Sequence, residues 1–95
     1  MVQPENQRHS LVTSPTVRRQ LTVQLPENVA AAAYEFISGP LLDNPQRLGK
    51  RLSPPLDDRH SARRGTYRII YRIDETSRTV IVLLIEHRRD AYRRR

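Results

Sequence analysis

The sequence predicts an α+β fold: a small antiparallel sheet with an N-terminal helical hairpin on one face, in the order β-α-α-β-β-β. Three observations carry that expectation. Residues 14–37 hold two segments, each opened by a proline, with apolar residues at helical spacing. Residues 66–74, "TYRIIYRID", place tyrosine and isoleucine against arginine at the two-residue period of a half-buried strand. Residues 79–86, "TVIVLLIE", form the most apolar run and follow the turn-like "DETSR" (74–78).

The elements follow in order. Residues 1–8 are polar and read as a flexible lead-in to a single domain spanning 9–95. "HSLVT" (9–13) suits a short strand. Ser14 is placed to cap a helix whose first position is Pro15, and Val17 and Leu21 share one face. Thr22 and Val23 are weak helix formers, so this helix is short. Pro26 opens a second helix, with Glu27 in its first turn where the helix dipole favours an anion. Val29, Ala33, Phe36 and Ile37 then line one face, and Gly39-Pro40 ends the regular part. Two helices this close in sequence make an αα-hairpin. Residues 43–59 read as a loop, with Pro45, Gly49, Pro54 and Pro55. Leu48, Leu52 and Leu56 recur every four residues there. Prolines 54 and 55 forbid a continuing helix, so these leucines are expected to pin the loop to the core. His60–Arg64 is a candidate strand and Gly65 a kink or tight turn. Thr66–Asp74 is a strong strand, and Thr79–Glu86, apolar on both faces, is a central or doubly covered one. No internal repeat is visible.

Composition narrows the functional classes. A chain of 95 residues is one domain, marginally stable alone, for which a partner covering apolar surface is plausible. There is no cysteine, which excludes disulfides and thiolate metal sites. No apolar run approaches the ~20 residues of a membrane span, and the first ten residues lack the apolar centre of a secretory signal. The default is a cytoplasmic protein with no membrane partner. Seventeen basic residues against ten acidic give a net charge of +7, and the only lysine is Lys50. A GC-rich genome would favour arginine over lysine codons but does not account for the net charge. Arginine's planar fork suits bidentate phosphate contact and base stacking. Nucleic acid is therefore the first class of partner to consider.

Strand periodicity sorts the arginines. Tyr67, Ile69, Tyr71 and Ile73 share the face expected to meet the helices. Arg68 and Arg72 share the other, about 13 Å apart at ~3.3 Å per residue. Arg63 or Arg64 joins them, depending on what Gly65 does to the register. A hairpin about 74–78 brings residues near 67 opposite residues near 85. The tail "HRRDAYRRR" (87–95) would then add His87, Arg88, Arg89 and Tyr92 at the same end of that face.

"GKRL" (49–52), "SARRGTYRIIYRID" (61–74) and "VLLIEHRRDAYRR" (82–94), in this order and spacing, resemble the RelE/ParE superfamily of toxins from bacterial type II toxin–antitoxin pairs. The likeness is to the RelE-type toxins of actinobacteria and covers roughly residues 9–94. It implies the β-α-α-β-β-β fold. It also implies a ribosome-dependent mRNA endonuclease, or mRNA interferase, that inhibits translation by cutting mRNA in the A site. A cognate antitoxin would wrap it with an acidic helical segment in a hetero-oligomer. ParE-like members of the same fold inhibit gyrase instead. A non-catalytic, basic nucleic-acid-binding module is the reading from outside the superfamily. By the resemblance, Arg68 matches the arginine after the strand's first tyrosine, and Arg63 or Arg64 the basic residues of the preceding strand. Arg88 or Arg89 matches the basic residue after the last strand, Tyr92 the C-terminal tyrosine, and Lys50 and Arg51 a basic pair in the helix-to-sheet loop. Ser61 stands where some members carry a second lysine.

RNA cleavage needs no metal or cofactor when the ribose 2′-OH attacks its own phosphate. It needs a base, an acid and charge stabilisation of the transition state. An arginine, with a pKa above about 12, holds its proton. Arg68 is therefore expected to clamp charge rather than to transfer a proton. Clustered cations favour a deprotonated tyrosine, which makes Tyr92 a candidate acid or base; it could equally stack on a nucleobase. His87 is the nearest other titratable group, or a structural residue at a strand end. Arg68, Arg88, Tyr92 and His87 are the catalytic candidates. Lys50, Arg51, Arg63, Arg64, Arg72 and Arg89 are the candidates for holding RNA phosphates. His9 and His60 are too isolated to suggest a metal site.

Overall fold

The computed structural model describes residues 8–87. Strand β1 spans Ser10–Thr13, helix α1 Pro15–Arg19, and a π-helical turn Gln20–Gln24 continues α1. Helix α2 spans Glu27–Ser38, and two single-turn helices follow, α3 Pro40–Asp43 and α4 Pro45–Leu48. The remaining strands are β2 Lys50–Arg51, β3 His60–Arg64, β4 Tyr67–Asp74 and β5 Thr79–His87. They form one sheet in the order β1-β5-β4-β3-β2. Among the described residues, no helix is long and apolar enough to cross a membrane.

The expected α+β architecture is present, with three differences. The first is that β1 runs parallel to β5, with Ser10 opposite Thr79 and Thr13 opposite Val82, so the sheet is mixed. Antiparallel pairing follows from short hairpins, and no hairpin links the first strand to the last. Second, the stretch read as a loop (43–59) folds partly: Pro45 opens a helical turn, as Pro40 does just before that stretch, where a missing N–H costs nothing, and β2 adds an edge strand. Third, Leu48 and Leu56 do not pin that stretch to the core but stand exposed. Leu41 and Leu42 supply the core contact instead. The four-residue spacing had no continuous helix beneath it to aim the leucines inward.

The core lies between the helices and one face of the sheet. Val17, Ala33, Phe36, Ile37, Leu41 and Leu42 pack against Ala62, Ile69, Tyr71, Val80, Val82 and Ile85. Ser14 caps α1 as expected: its Oγ accepts from Val17 N at 3.1 Å and donates to Leu83 O at 2.9 Å. Buried Gln20 acts on β5 as a strand would. Its side-chain amide donates to Ile85 O at 2.6 Å and accepts from Ile85 N at 2.9 Å. Those bonds satisfy the edge of β5 beyond the end of β1. Gly49 fits where a Cβ would meet the Tyr71 hydroxyl and lie 2.9 Å from Ser61 O.

One irregularity decides which way the end of β5 faces. Ile70 pairs with Leu84, but the next residue, Tyr71, pairs with Val82, leaving Leu83 as a bulge. Before the bulge the even-numbered Val80 and Val82 are buried; after it the odd-numbered Ile85 is. Unbroken alternation of the same residues would put Glu86 on the face of Val80 and Val82, toward the helices.

Candidate nucleic-acid interface

The sheet face away from the helices is organised by its cross-strand pairs. Arg64 pairs with Tyr67 across a two-residue turn that begins at Gly65, whose φ of +58° suits glycine. Arg63 consequently sits opposite Arg68, and Arg68 opposite Glu86, giving one row across three strands. The adjoining row is Lys50, Ser61, Ile70 and Leu84. Arg72 pairs with Ile81 further along the same face. The basic side chains therefore gather on the β2–β3–β4 side, and aliphatic ones on the β5–β1 side, where Val12 is 48% exposed.

Arg68 is half-buried and anchored. Its Nη2 donates to Glu86 Oε1 at 2.6 Å and its Nε to the same oxygen at 3.2 Å. Their side chains are 43% and 29% exposed, and an ion pair this open to water adds at most about 1 kcal/mol to stability. The structure thus brings Arg63, Arg68, Arg72 and Lys50 onto one face.

It does not bring all the candidates there. The turn at Gly65 sends Arg64 to the helix side, where its guanidinium lies 4.8 Å from the centre of the Phe36 ring. Arg51 pairs with His60, one residue out of step with Lys50. His87 pairs with Tyr67 and so belongs to the helix side, not beside Arg68. Arg88, Arg89 and Tyr92 lie outside the described residues. Glu86 is the member that sequence reasoning missed. The alternation of "TVIVLLIE" assigns it to the face of Val80 and Val82, and nothing in that run marks the bulge. The hairpin register offered the only hint, since residues near 67 were expected opposite residues near 85.

Burial favours the neutral forms of three groups on the helix side, Tyr71, Tyr67 and His60. Burial pushes the Tyr71 hydroxyl up to about 12, and it donates to Pro45 O at 2.5 Å. Burial also raises Tyr67, partly offset by the charge and hydrogen bond of Arg64. His60, stacked on Tyr71 with ring centres 5.5 Å apart, is held below its usual value by burial and then by the charge of Arg51. A cleft beside it is lined by Arg51, His60 and Arg72 but also by Asp57, Asp58 and Glu75. Its carboxylates offset its cations, so it offers a phosphate chain little. The Arg63–Arg68 row is the better phosphate site: two guanidiniums adjacent on neighbouring strands, with one carboxylate on the far side.

Comparison with known proteins bears on the family and the fold. Residues 16–92 match the family described as ParE toxin of type II toxin-antitoxin system, parDE. Toxin RelE of Mycobacterium tuberculosis (strain ATCC 25618 / H37Rv) is 48% identical over 85 residues, 90% of this chain and 86% of that protein. Toxin RelG of the same strain is 49% identical over 79 residues, 83% of this chain and 90% of that protein. The fold superposes on the crystal structure of the RelBE2 toxin–antitoxin complex from M. tuberculosis with a TM-score of 0.81 and 43% identity. That match covers 85% of this chain and 92% of that one. The isolated E. coli RelE toxin matches in fold alone, with a TM-score of 0.68 at 16% identity, over 83% of each chain.

Proposed function

Because the chain belongs to the RelE/ParE toxin family of type II toxin–antitoxin systems, we propose that it inhibits translation as a ribosome-dependent mRNA endonuclease. The observation that carries this reading is the Arg63–Arg68 row on a sheet face turned away from the described helices. Two guanidiniums side by side can hold one phosphate and stabilise the charge that grows on it as the 2′-oxygen attacks. Arg72 and Lys50, on the same face, would hold phosphates further along the strand. Tyr92, Arg88 and Arg89 would complete the site from the tail, with Tyr92 as proton donor to the leaving 5′-oxygen. The site is sparse, and a sparse site gains most from a platform that orients its substrate. Positioning can supply about 7–11 kcal/mol of a barrier, which suits an enzyme that works on mRNA held in the ribosome.

The partner reading follows from the same surface. A chain of net charge +7 with an arginine row and an aliphatic flank suits an acidic, amphipathic antitoxin segment that folds on binding. The 43%-identical relative was crystallised with its antitoxin, which supports a toxin–antitoxin hetero-oligomer here too.

The test is to map mRNA 5′ ends by primer extension after induction of the wild type and of Arg68→Ala. Codon-phased cuts that vanish in the variant support the reading. Intact mRNA accompanied by gyrase-linked DNA breaks would overturn it in favour of a ParE-like action.

A further inference from the structure

Glu86 stands in the arginine row, and among the described residues the chemistry proposed for that row has no base assigned. Arginines hold their protons, His87 and His60 belong to the helix side, and Tyr67 and Tyr71 are kept protonated by burial. The neighbouring acids are occupied elsewhere. Asp74 Oδ1 accepts from Thr76 N and Ser77 N in the β4–β5 turn, and Glu75 bonds His9 and Gln46. We propose that Glu86 is the general base that takes the proton from the ribose 2′-OH. This inference rests on the nuclease reading above.

The geometry supports it in three ways. Both bonds from Arg68 go to Glu86 Oε1, through Nη2 and Nε on one edge of the guanidinium. The three other N–H groups of Arg68, on Nη1 and Nη2, remain for a phosphate. One planar cation can thus hold the reacting phosphate on one edge and the base on the other. Second, Oε2 of Glu86 makes no bond to Arg68, which leaves it to accept a proton. Third, the carboxylate is half-buried rather than swept by solvent, and Arg68 fixes its direction. Among the described residues, the charged groups facing Glu86 are Arg68 on β4 and, one strand further, Arg63 on β3; the described helices pack on the sheet's other face. Two cations beside one anion leave the row able to attract a phosphate.

The step balances without redox chemistry. Glu86 takes the 2′-OH proton, and the 2′-oxygen's electron pair forms the O2′–P bond. The P–O5′ bond breaks with its pair on the 5′-oxygen, which takes a proton from water. The products are a 2′,3′-cyclic phosphate and a 5′-hydroxyl, and Glu86 returns its proton to solvent.

The experiment measures single-turnover cleavage of a synthetic mRNA on programmed ribosomes across pH, for the wild type, Glu86→Gln and Glu86→Asp. A base of this kind contributes roughly 100–10,000-fold. Glu86→Gln should lose that factor at unchanged ribosome affinity, and Glu86→Asp should keep part of it. The wild-type rate should fall on the acid side of its pH profile, and Glu86→Gln should lack that limb. A Glu86→Gln protein that cuts as fast as the wild type, or faster, makes the carboxylate a spectator or a competitor for Arg68 and overturns the inference. So does a wild-type profile with no acid limb, a result independent of any variant's folding. In both cases the nuclease reading survives, whereas a wild type that leaves mRNA intact on the ribosome removes both.

Discussion

The two faces of β4 use the same eight residues for opposite ends. Tyr67, Ile69 and Tyr71 lie under the helices, almost without access to water. Arg68, Ile70 and Arg72, interleaved with them, stay partly exposed on the other face, among cations. One residue's step along the backbone separates a position that holds the fold from one that meets a ligand. The consequence is a separation of losses: helix-side changes should cost stability first, and open-face changes should cost activity without stability.

The largest effect expected on the helix side is Ile69→Ala. A fully buried isoleucine cut to alanine costs about 2–5 kcal/mol, a large part of a small domain's stability, read as a lowered urea midpoint. On the open face, Arg68→Ala should slow cleavage roughly 100–1,000-fold, about 2.7–4 kcal/mol, while its urea midpoint stays near the wild type's. If Arg68→Ala unfolds the protein, the two faces are not separable and the comparison breaks.

A smaller effect sharpens it with pH. Tyr71 is held up to about 12 in the fold, against about 10 for an unfolded tyrosine. A folded value above the unfolded one means the stabilisation is complete below about pH 10 and drains away between there and about 12. Urea midpoints should therefore fall through that alkaline window, and Tyr71→Phe should flatten the part of the fall owed to this hydroxyl. The smallest expected change is Ser14→Ala, about 1 kcal/mol for the lost helix cap, visible as a modest drop in thermal midpoint with cleavage retained.

Much of this fold is legible in the sequence because its signals are local. Ser14-Pro15 opens a helix by capping chemistry that needs only neighbours, and β4 declares its two faces by alternation. The pairing of β1 with β5 is not local: no short turn ties the two strands, so their relative direction is decided by the rest of the chain. The short elements between Pro40 and Arg51 went unread because each is too brief to build a periodic pattern. For the candidate site, Arg68 and Arg72 are assigned by alternation alone. The choice between Arg63 and Arg64 waits on the turn at Gly65, since two arginines in sequence present the same pattern in either register. Glu86 is hidden more deeply, because a bulge shifts the phase of a strand without leaving a mark on its composition.

That bulge at Leu83 gives β5 a tolerance of length that a regular strand lacks. Swapping one aliphatic residue for another at 83 leaves every later residue on its own side of the sheet. Deleting it removes the unpaired residue and leaves Val82 opposite Tyr71 and Leu84 opposite Ile70, so Ile85 stays under the helices and Glu86 stays opposite Arg68. A lineage carrying this strand can therefore vary both its letters and their number at that point.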